Sequence, residues 1–307
     1  MFRYFIRRVI QLIPVFFITT ALIFIVIRLI PGDPIQAQFG ERRVPENLRA
    51  AYEARYHFNE PLWKQYFLYM GDVLTFDLGE SVASQRPIND LFREALPRSA
   101  TLAGMAIALQ AVIAIPLGIA MARTKDRFFD NMSLVVTLVA LAIPVFVLGL
   151  VAQTTIGLQL GWLPISYDQS LKSFVLPAVV LAVTSTAVTA RLMRTTLLEV
   201  GREDYLRTAR AKGLSESRTF RVHALRNALI PVVTVLAIDL GALLGGAIVT
   251  EQIFNIPGIG FQITRAIQNR DNTIITGISV FLVMAYLIVN LVVDMLYAWL
   301  DPRIRYD

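Results

Sequence analysis

Long apolar runs alternate with short polar connections along most of this chain. Six of the runs reach the length that a helix needs to cross a hydrocarbon core, about 20 residues. Glycine, proline or charged side chains separate them, so the pattern predicts an all-α membrane protein with six transmembrane helices in one domain, residues 1–307. The predicted spans are residues 9–30, 99–122, 131–159, 173–190, 227–250 and 272–293.

Composition supports a membrane protein. Of the 307 residues, 55% are hydrophobic and 17% are charged, whereas about a quarter of the residues in a soluble domain are charged. The mean hydropathy of +0.57 agrees, and a water-soluble protein is therefore excluded. The first span follows Arg3, Arg7 and Arg8, as in a signal peptide, but its apolar run is too long and no small-residue cleavage site follows.

The basic residues predict the orientation of the spans. Connections on one side, together with both termini, contain seventeen arginines and lysines, and the opposite short connections contain only Lys172, Arg265 and Arg270. Because basic residues accumulate on the cytoplasmic side, both termini are predicted to be cytoplasmic. The same rule explains the net charge of +6, so no nucleic-acid partner is expected.

Two connections are too long to be simple turns. Residues 31–97 form a predicted extracytoplasmic insertion with ten acidic and seven basic side chains, in which Arg49–Tyr56 and Leu62–Met70 are predicted to be helical. It is either a solvated lid or a docking or gating element, and the second is favoured because long ordered loops are usually functional. Residues 194–226 form a polar cytoplasmic connection whose few apolar side chains can pack against a protein.

Several kinds of catalytic chemistry are excluded. The chain has no cysteine, and its two histidines, His57 and His223, have no partner at helical spacing, which excludes an HExxH metalloprotease. No glycine precedes any of the four lysines, so a phosphate-binding P-loop is absent, and no G-x-S-x-G elbow occurs. We expect no enzymatic activity, metal or cofactor in this chain.

One motif in the cytoplasmic connection resembles the "EAA" loop of binding-protein-dependent ABC importers, which combines a short helix, a glycine and a proline entering the next span. Tyr205 to Arg207 replace the plain acidic-alanine-alanine start. The motif reads Asp204-Tyr205-Leu206-Arg207-Thr208-Ala209-Arg210-Ala211-Lys212-Gly213 and, further on, His223-Ala224-Leu225-Arg226-Asn227-Ala228-Leu229-Ile230-Pro231.

The resemblance extends along the whole chain and is to the first permease subunit of dipeptide and oligopeptide ABC transporters. Many matching motifs in the same order make it specific. They are Pro31-Gly32-Asp33-Pro34, Asp77-Leu78-Gly79-Glu80-Ser81, Leu96-Pro97 with Thr101, Gly245-Gly246-Ala247, Glu251, Ile256-Pro257-Gly258-Ile259-Gly260, Arg270-Asp271, Asp294 and Leu300-Asp301-Pro302-Arg303-Ile304-Arg305-Tyr306.

This resemblance implies a type I ABC importer permease fold in the inner membrane of a prokaryote. It implies three kinds of partner: a homologous second permease, one or two cytoplasmic ATPase subunits that bind ATP and Mg, and an extracytoplasmic substrate-binding protein. Peptides are the implied cargo, with nickel chelates, glutathione or oligosaccharides as alternatives. A stand-alone secondary transporter is the remote alternative, and it is expected to show repeated broken helices and paired intramembrane ions.

The resemblance also implies that the cytoplasmic motif couples the ATPase to the spans. We expect a short helix and glycine cap over Glu203–Ser215, with Leu206 and Ala209 packed in a cleft of the ATPase. Gly213 fits the position after a helix where a left-handed backbone favours glycine. A merely solvated basic loop is the less favoured interpretation. The predicted coupling residues are Asp204, Tyr205, Leu206, Arg207, Ala209, Arg210, Ala211, Lys212 and Gly213.

Two acidic residues lie in or near the fifth span and are candidates for the translocation pathway. A charge inside a membrane costs about 2.5–3.5 kcal/mol on insertion scales and normally faces a bundle interior or water. Asp239, near the middle of the span, either meets the amino group of a peptide or is a structural carboxylate bonded to a neighbouring span. Glu251, at its outer end, either gates the pathway or is an ordinary interfacial carboxylate.

Overall fold

A computed structural model describes residues 2–30, 35–36, 44–81, 84–245 and 247–300. The motif at Pro31–Pro34 and the C-terminal motif from Asp301 onward lie outside these residues. The α-helices are α1 (Phe2–Arg28), α2 (Glu46–Tyr56), α3 (Leu62–Leu74), α4 (Ile88–Arg123), α5 (Phe128–Ala142), α6 (Val145–Ala152), α7 (Val175–Val200), α8 (Asp204–Ala211), α9 (Glu216–Arg218), α10 (Leu225–Leu244), α11 (Ile248–Ile253), α12 (Ile259–Gln268) and α13 (Asn272–Leu300).

Five continuous helical segments are long and apolar enough to cross a membrane. A sixth candidate is a bent pair, Phe128–Ala142 with Val145–Gln159. The prediction of an all-α membrane protein is confirmed, and the predicted number of six spans is reached when the bent pair is counted as one span. The continuous segments are Arg3–Arg28, Ile88–Arg123, Leu171–Val200, Glu216–Leu244 and Asn272–Met295.

The predicted third span is not one continuous helix. The helices before and after Ile143 and Pro144 meet at 95°. Ile143 is extended, with φ −86° and ψ 121°, because the ring of a following proline disfavours the helical conformation at the residue before it. Apolar residues continue through the bend, so hydropathy alone does not reveal it.

The predicted fifth span and the cytoplasmic connection also need correction. The apolar pattern predicts a fifth span that reaches residue 250, but α10 ends at Leu244, before a glycine pair that favours helix poorly, and α11 forms a separate helix. The sequence predicts that the connection starts at residue 194, but α7 continues to Val200. Arginine favours a helix, so α7 continues beyond the apolar run from which the span was predicted.

The chain divides into two compact units. The first unit comprises Met1–Ser99, Leu244–Ile248 and Pro257–Leu291, and the second comprises Ala100–Leu243, Val249–Ile256 and Val292–Asp307.

In the first unit, the predicted insertion packs on the spans through α3. Tyr66 and Met70 are buried together with Phe24 of α1 and Val280 of α13, and the Tyr66 hydroxyl donates to the Phe17 carbonyl at 2.8 Å. The insertion is therefore no free-standing lid. Deleting residues 42–72 would uncover Phe24 and Val280, so such a deletion does not isolate a docking role.

The Asp77–Ser81 motif joins the insertion to the start of α13. The buried Ser81 hydroxyl donates to Asp271 Oδ2 at 2.6 Å, while Asp271 Oδ1 accepts the Ile274 amide at 3.1 Å, as an N-cap residue does. Outside the spans, the hydrogen bond from the Arg55 guanidinium lowers the pKa of Asp77 below its usual value.

In the second unit, α4 and α7 approach closely at Gly118. A Cβ atom at this position would lie 2.5 Å from the Ala190 carbonyl oxygen and 2.6 Å from Met193 Cβ. Small residues allow such close approach between membrane helices. The contact is one side of a core that includes Met193, Leu197, Ala228 and Val232.

A buried ion pair joins α5 to α7 in the same unit. Arg194 donates to both oxygens of Asp130, each at 2.6 Å, and the Asp126 amide donates a third hydrogen bond at 3.0 Å. The side chain of Asp130 is 0% exposed and that of Arg194 is 17% exposed. Removing one partner therefore leaves a buried charge uncompensated.

We predict that Asp130→Asn lowers the free energy of unfolding by about 3–5 kcal/mol, the usual cost of breaking a buried pair. Thermal unfolding of the assembled protein in detergent measures the loss. Glu94→Gln is the matched control, because its pair with Arg86 is about half exposed and such pairs contribute about 1 kcal/mol or less. Equal midpoints for the two variants would contradict the prediction.

Candidate coupling and translocation sites

Helix α8 ends in a glycine cap of the expected kind. Gly213 has φ +81°, a left-handed conformation that is unstrained only for glycine. Its amide donates to the Arg210 carbonyl at 2.9 Å, and the Leu214 amide donates to the Ala209 carbonyl at 3.2 Å. These two bonds form a Schellman motif, so the sequence prediction of a helix followed by a glycine turn is confirmed.

The buried face of α8 packs on its own chain, contrary to the expectation for Leu206 and Ala209. Leu206 is 1% exposed and Ala209 is 7% exposed. Leu206 lies in a cluster with Met193 and Leu197 of α7 and Ala228 of α10. These two side chains are therefore not available to a partner, because the helix uses its apolar stripe to attach itself to α7 and α10.

The other predicted residues of α8 and its cap form an exposed polar face. Arg207 approaches Asp204 at 3.3 Å, Arg210 contacts Glu216 at 2.9 Å, and the Tyr205 hydroxyl accepts from Asn227 at 2.8 Å. The exposed residues are Asp204, Tyr205, Arg207, Arg210, Ala211, Lys212 and Gly213. The motif thus separates into a buried anchor and an exposed surface.

A groove of about 170 Å³ runs beside α8, and no pattern in the sequence predicts it. Arg123, at the end of α4, stacks over the Phe220 ring at 4.5 Å, and the Arg210–Glu216 pair lies at the same groove. Arg123 and Phe220 are 97 positions apart. No local pattern indicates that they meet.

Asp239 belongs to a polar cluster formed by three spans. Gln110 Nε2 on α4 donates to Asp239 Oδ2 on α10 at 2.7 Å and to Thr189 Oγ1 on α7 at 2.8 Å. Gln110 and Thr189 are buried, whereas Asp239 is half-buried. We call Gln110, Thr189 and Asp239 the three-span polar cluster. Asp239 is thus bonded to a neighbouring span, as expected of a structural carboxylate. It is also partly exposed, as a residue that meets the amino group of a peptide must be.

Glu251 lies apart from this cluster. It belongs to α11 rather than to the end of α10, and it is 0% exposed. A pathway residue must be reachable by cargo, so this conformation does not support the pathway interpretation of Glu251. The structure therefore leaves Asp239 as the accessible acidic residue of the two.

The helical spans and α8, with its buried anchor and exposed polar face, agree with the fold expected of an importer permease. The chain belongs to the family of binding-protein-dependent transport system inner membrane components. The model of this family matches residues 114–306, and the model of its N-terminal part matches residues 1–103. The expected family is therefore confirmed.

Several curated relatives align over the full length of the chain. The dipeptide transport system permease protein DppB of Alkalihalophilus pseudofirmus is 38% identical and covers 100% of both chains. The di/tripeptide transport system permease protein DppB of Pseudomonas aeruginosa is 38% identical over 98% of each. The glutathione transport system permease protein GsiC of Escherichia coli is 34% identical over 100% of each.

Solved structures share the fold. An inward-facing structure of the MetNI methionine ABC transporter gives a TM-score of 0.57 at 18% identity and covers 69% of this chain and 96% of that one. An amino acid ABC transporter crystallised with histidines gives 0.52 at 17% identity, covering 69% and 94%. The expected ABC importer permease fold is therefore confirmed. The chain is a multi-pass membrane subunit of an ABC importer.

We predict that Leu206→Ala loosens α8 from its own chain. Removing a buried leucine side chain costs about 2–5 kcal/mol, and here the loss falls on a single short helix. Amide hydrogen exchange over residues 204–211 should accelerate in the assembled complex. Val222→Ala, at a position 50% exposed, is the control and should leave exchange unchanged. Wild-type exchange in Leu206→Ala would contradict the anchoring role.

Proposed function

We propose that this chain and a second, homologous permease form the passage through which an ATP-driven importer moves peptides. The observation that carries the proposal is full-length similarity, at 38% identity, to two proteins named as dipeptide or di/tripeptide permeases. Glutathione is the second candidate cargo, because a permease named for it is 34% identical over the full chain. Glutathione is itself a tripeptide, so both candidate cargoes carry an amino group and a carboxylate.

The importer needs partners that this chain does not supply. One or two cytoplasmic ATPase subunits bind ATP and Mg and provide the energy, and an extracytoplasmic binding protein delivers the cargo. Both termini lie in the cytoplasm, in agreement with the distribution of basic residues. The exposed side of α3, with Trp63 and Phe67 at 67% and 65% exposure, is the surface that we assign to the binding protein.

A stand-alone secondary transporter is the weaker alternative. Such a transporter is built from repeats with discontinuous helices, and within the described residues the one broken candidate span is the pair bent at Pro144. Membership in a family of binding-protein-dependent systems supports the ATP-driven mechanism instead.

We predict that a dipeptide stimulates ATP hydrolysis by the reconstituted complex. The complex contains both permeases, the ATPase subunits and the binding protein, and phosphate release is measured with a dipeptide, with glutathione or with nickel chelate. The expected result is stimulation of severalfold or more by the dipeptide together with its accumulation in vesicles. Stimulation by nickel chelate alone would contradict the peptide assignment, and uptake without ATP would contradict the ATP-driven mechanism.

The coupling role belongs to the exposed face of α8 and its glycine cap. Motion of the ATPase acts on Arg207, Arg210 and Lys212, and the buried anchor at Leu206 transmits it to α7 and α10. A rigid turn at Gly213 fixes the direction of this face relative to the span that follows. The predicted coupling residues therefore act in two groups, the exposed ones by contact with the ATPase and the buried ones by attachment to the spans.

We predict that Gly213→Val reduces ligand-stimulated ATP hydrolysis or detaches the ATPase while the spans remain inserted. A Cβ at φ +81° is strained even though the space around it is open, at a cost on the order of 1–2 kcal/mol. Gly161→Val is a matched control, because Gly161 also has a positive φ, +64°, and open space, but it lies outside the motif.

The measurements are ATPase retention on the purified permease pair and ligand-stimulated hydrolysis. Normal values for both in Gly213→Val, or equal losses in Gly161→Val, would contradict the coupling role. The bulky Ala209→Trp variant tests the anchor rather than the contact with the ATPase, because Ala209 faces its own chain.

A further inference from the structure

We infer that Gln110 is a positioning residue, which holds the Asp239 carboxylate so that its other oxygen receives the ammonium group of a peptide in transit. The inference rests on the proposed function, because it takes peptides as the cargo. It adds to that function a site in the membrane interior for one chemical group, a primary ammonium.

The first observation is that both hydrogens of the Gln110 amide are used. Gln110 is 1% exposed, and burial of an amide without hydrogen bonds is unfavourable. One hydrogen bonds to Thr189 at 2.8 Å and the other to Asp239 at 2.7 Å. Thr189 is 0% exposed and lies on α7. Its hydroxyl fixes the amide from one side, and the second hydrogen is thereby directed at the carboxylate.

The second observation is that Asp239 has a neutral partner. Among the described residues, no arginine or lysine forms an ion pair with it, and its sequence neighbours on α10 are apolar. A cationic partner would neutralise the carboxylate and occupy it. A neutral amide donor leaves the negative charge of the carboxylate to be balanced by another group.

The third observation is the difference in exposure within the cluster. Gln110 and Thr189 are buried, whereas Asp239 is half-buried, so Asp239 is the member of the cluster that a ligand can reach. Oδ2 is held by Gln110, and Oδ1 is the remaining acceptor. A carboxylate oxygen suits an ammonium donor, because such charge-assisted hydrogen bonds are stronger than neutral ones.

A site with a single carboxylate allows the cargo to leave again instead of holding it tightly. One carboxylate binds an ammonium group more weakly than a closed set of several charges, and cargo in a transport pathway must also leave. Gln110 contributes by keeping the carboxylate in one orientation, which reduces the ordering that each passing ligand requires.

The experiment is a double-mutant cycle in the reconstituted complex, with dipeptide uptake as the measurement. Asp239→Asn and Gln110→Leu should each lower kcat by about tenfold or more, as expected for loss of a hydrogen bond to a charged group. The double variant should be no slower than Asp239→Asn alone, since Gln110 acts through Asp239. Multiplied losses, as expected for independent structural damage, would overturn the inference.

Thr189 provides a rescue test. Thr189→Val removes the acceptor that holds the Gln110 amide and should reduce uptake severalfold, whereas Thr189→Ser retains a hydroxyl and should restore it. Thr234→Val is the matched control, because Thr234 is also buried and its hydroxyl bonds to the Ile230 carbonyl within α10. Equal uptake by Thr189→Val and Thr189→Ser would overturn the positioning role.

A small cation tests the ligand class. n-Propylammonium should inhibit dipeptide uptake in the wild type and should lose this effect in Asp239→Asn, while 1-propanol and sodium chloride at the same concentration should not inhibit. Equal inhibition by propylammonium and sodium would overturn the ammonium assignment. Failure of the wild type to take up dipeptide would instead contradict the proposed function, so the two failures are distinguishable.

Discussion

Inside a hydrocarbon environment, a polar side chain must find its partner within the protein, because no water is available to replace it. This constraint determines where the second unit places its polar groups. Gln110 uses both of its donors on Thr189 and Asp239, and at the edge of the predicted third span Asp130 is bonded by Arg194 and by a backbone amide. These bonds hold α4, α5, α7 and α10 in defined contacts that apolar packing alone would leave less specific.

The same constraint distinguishes structural polar groups from candidate functional ones. Asp130 is paired with a cation and is fully buried, so it has nothing left to offer a ligand. Asp239 is held by a neutral amide and is half-buried. These two carboxylates of one unit therefore have different environments, and the difference in partner and exposure is the basis for proposing a structural role for Asp130 and a transport role for Asp239.

Helix α8 is attached to two spans on one side and exposed on the other. Its apolar stripe is buried against α7 and α10, and its Schellman motif fixes the direction in which the chain leaves it. The exposed face remains available to a partner. In the proposed coupling role, a force on that face would reach two spans through packed side chains, because close-packed interiors transmit strain.

The sequence alone determined the class of this protein and the local turns. Apolar runs of sufficient length predict helical spans, basic residues predict orientation, and Gly213 predicts a left-handed cap, because each depends on neighbouring residues. Only the tertiary structure decided that Leu206 faces its own chain and that Gln110 meets Asp239, 129 positions away. It also decided that residues 131–159 bend at Pro144. These features depend on which surfaces meet after folding, and hydropathy along the chain does not encode that pairing.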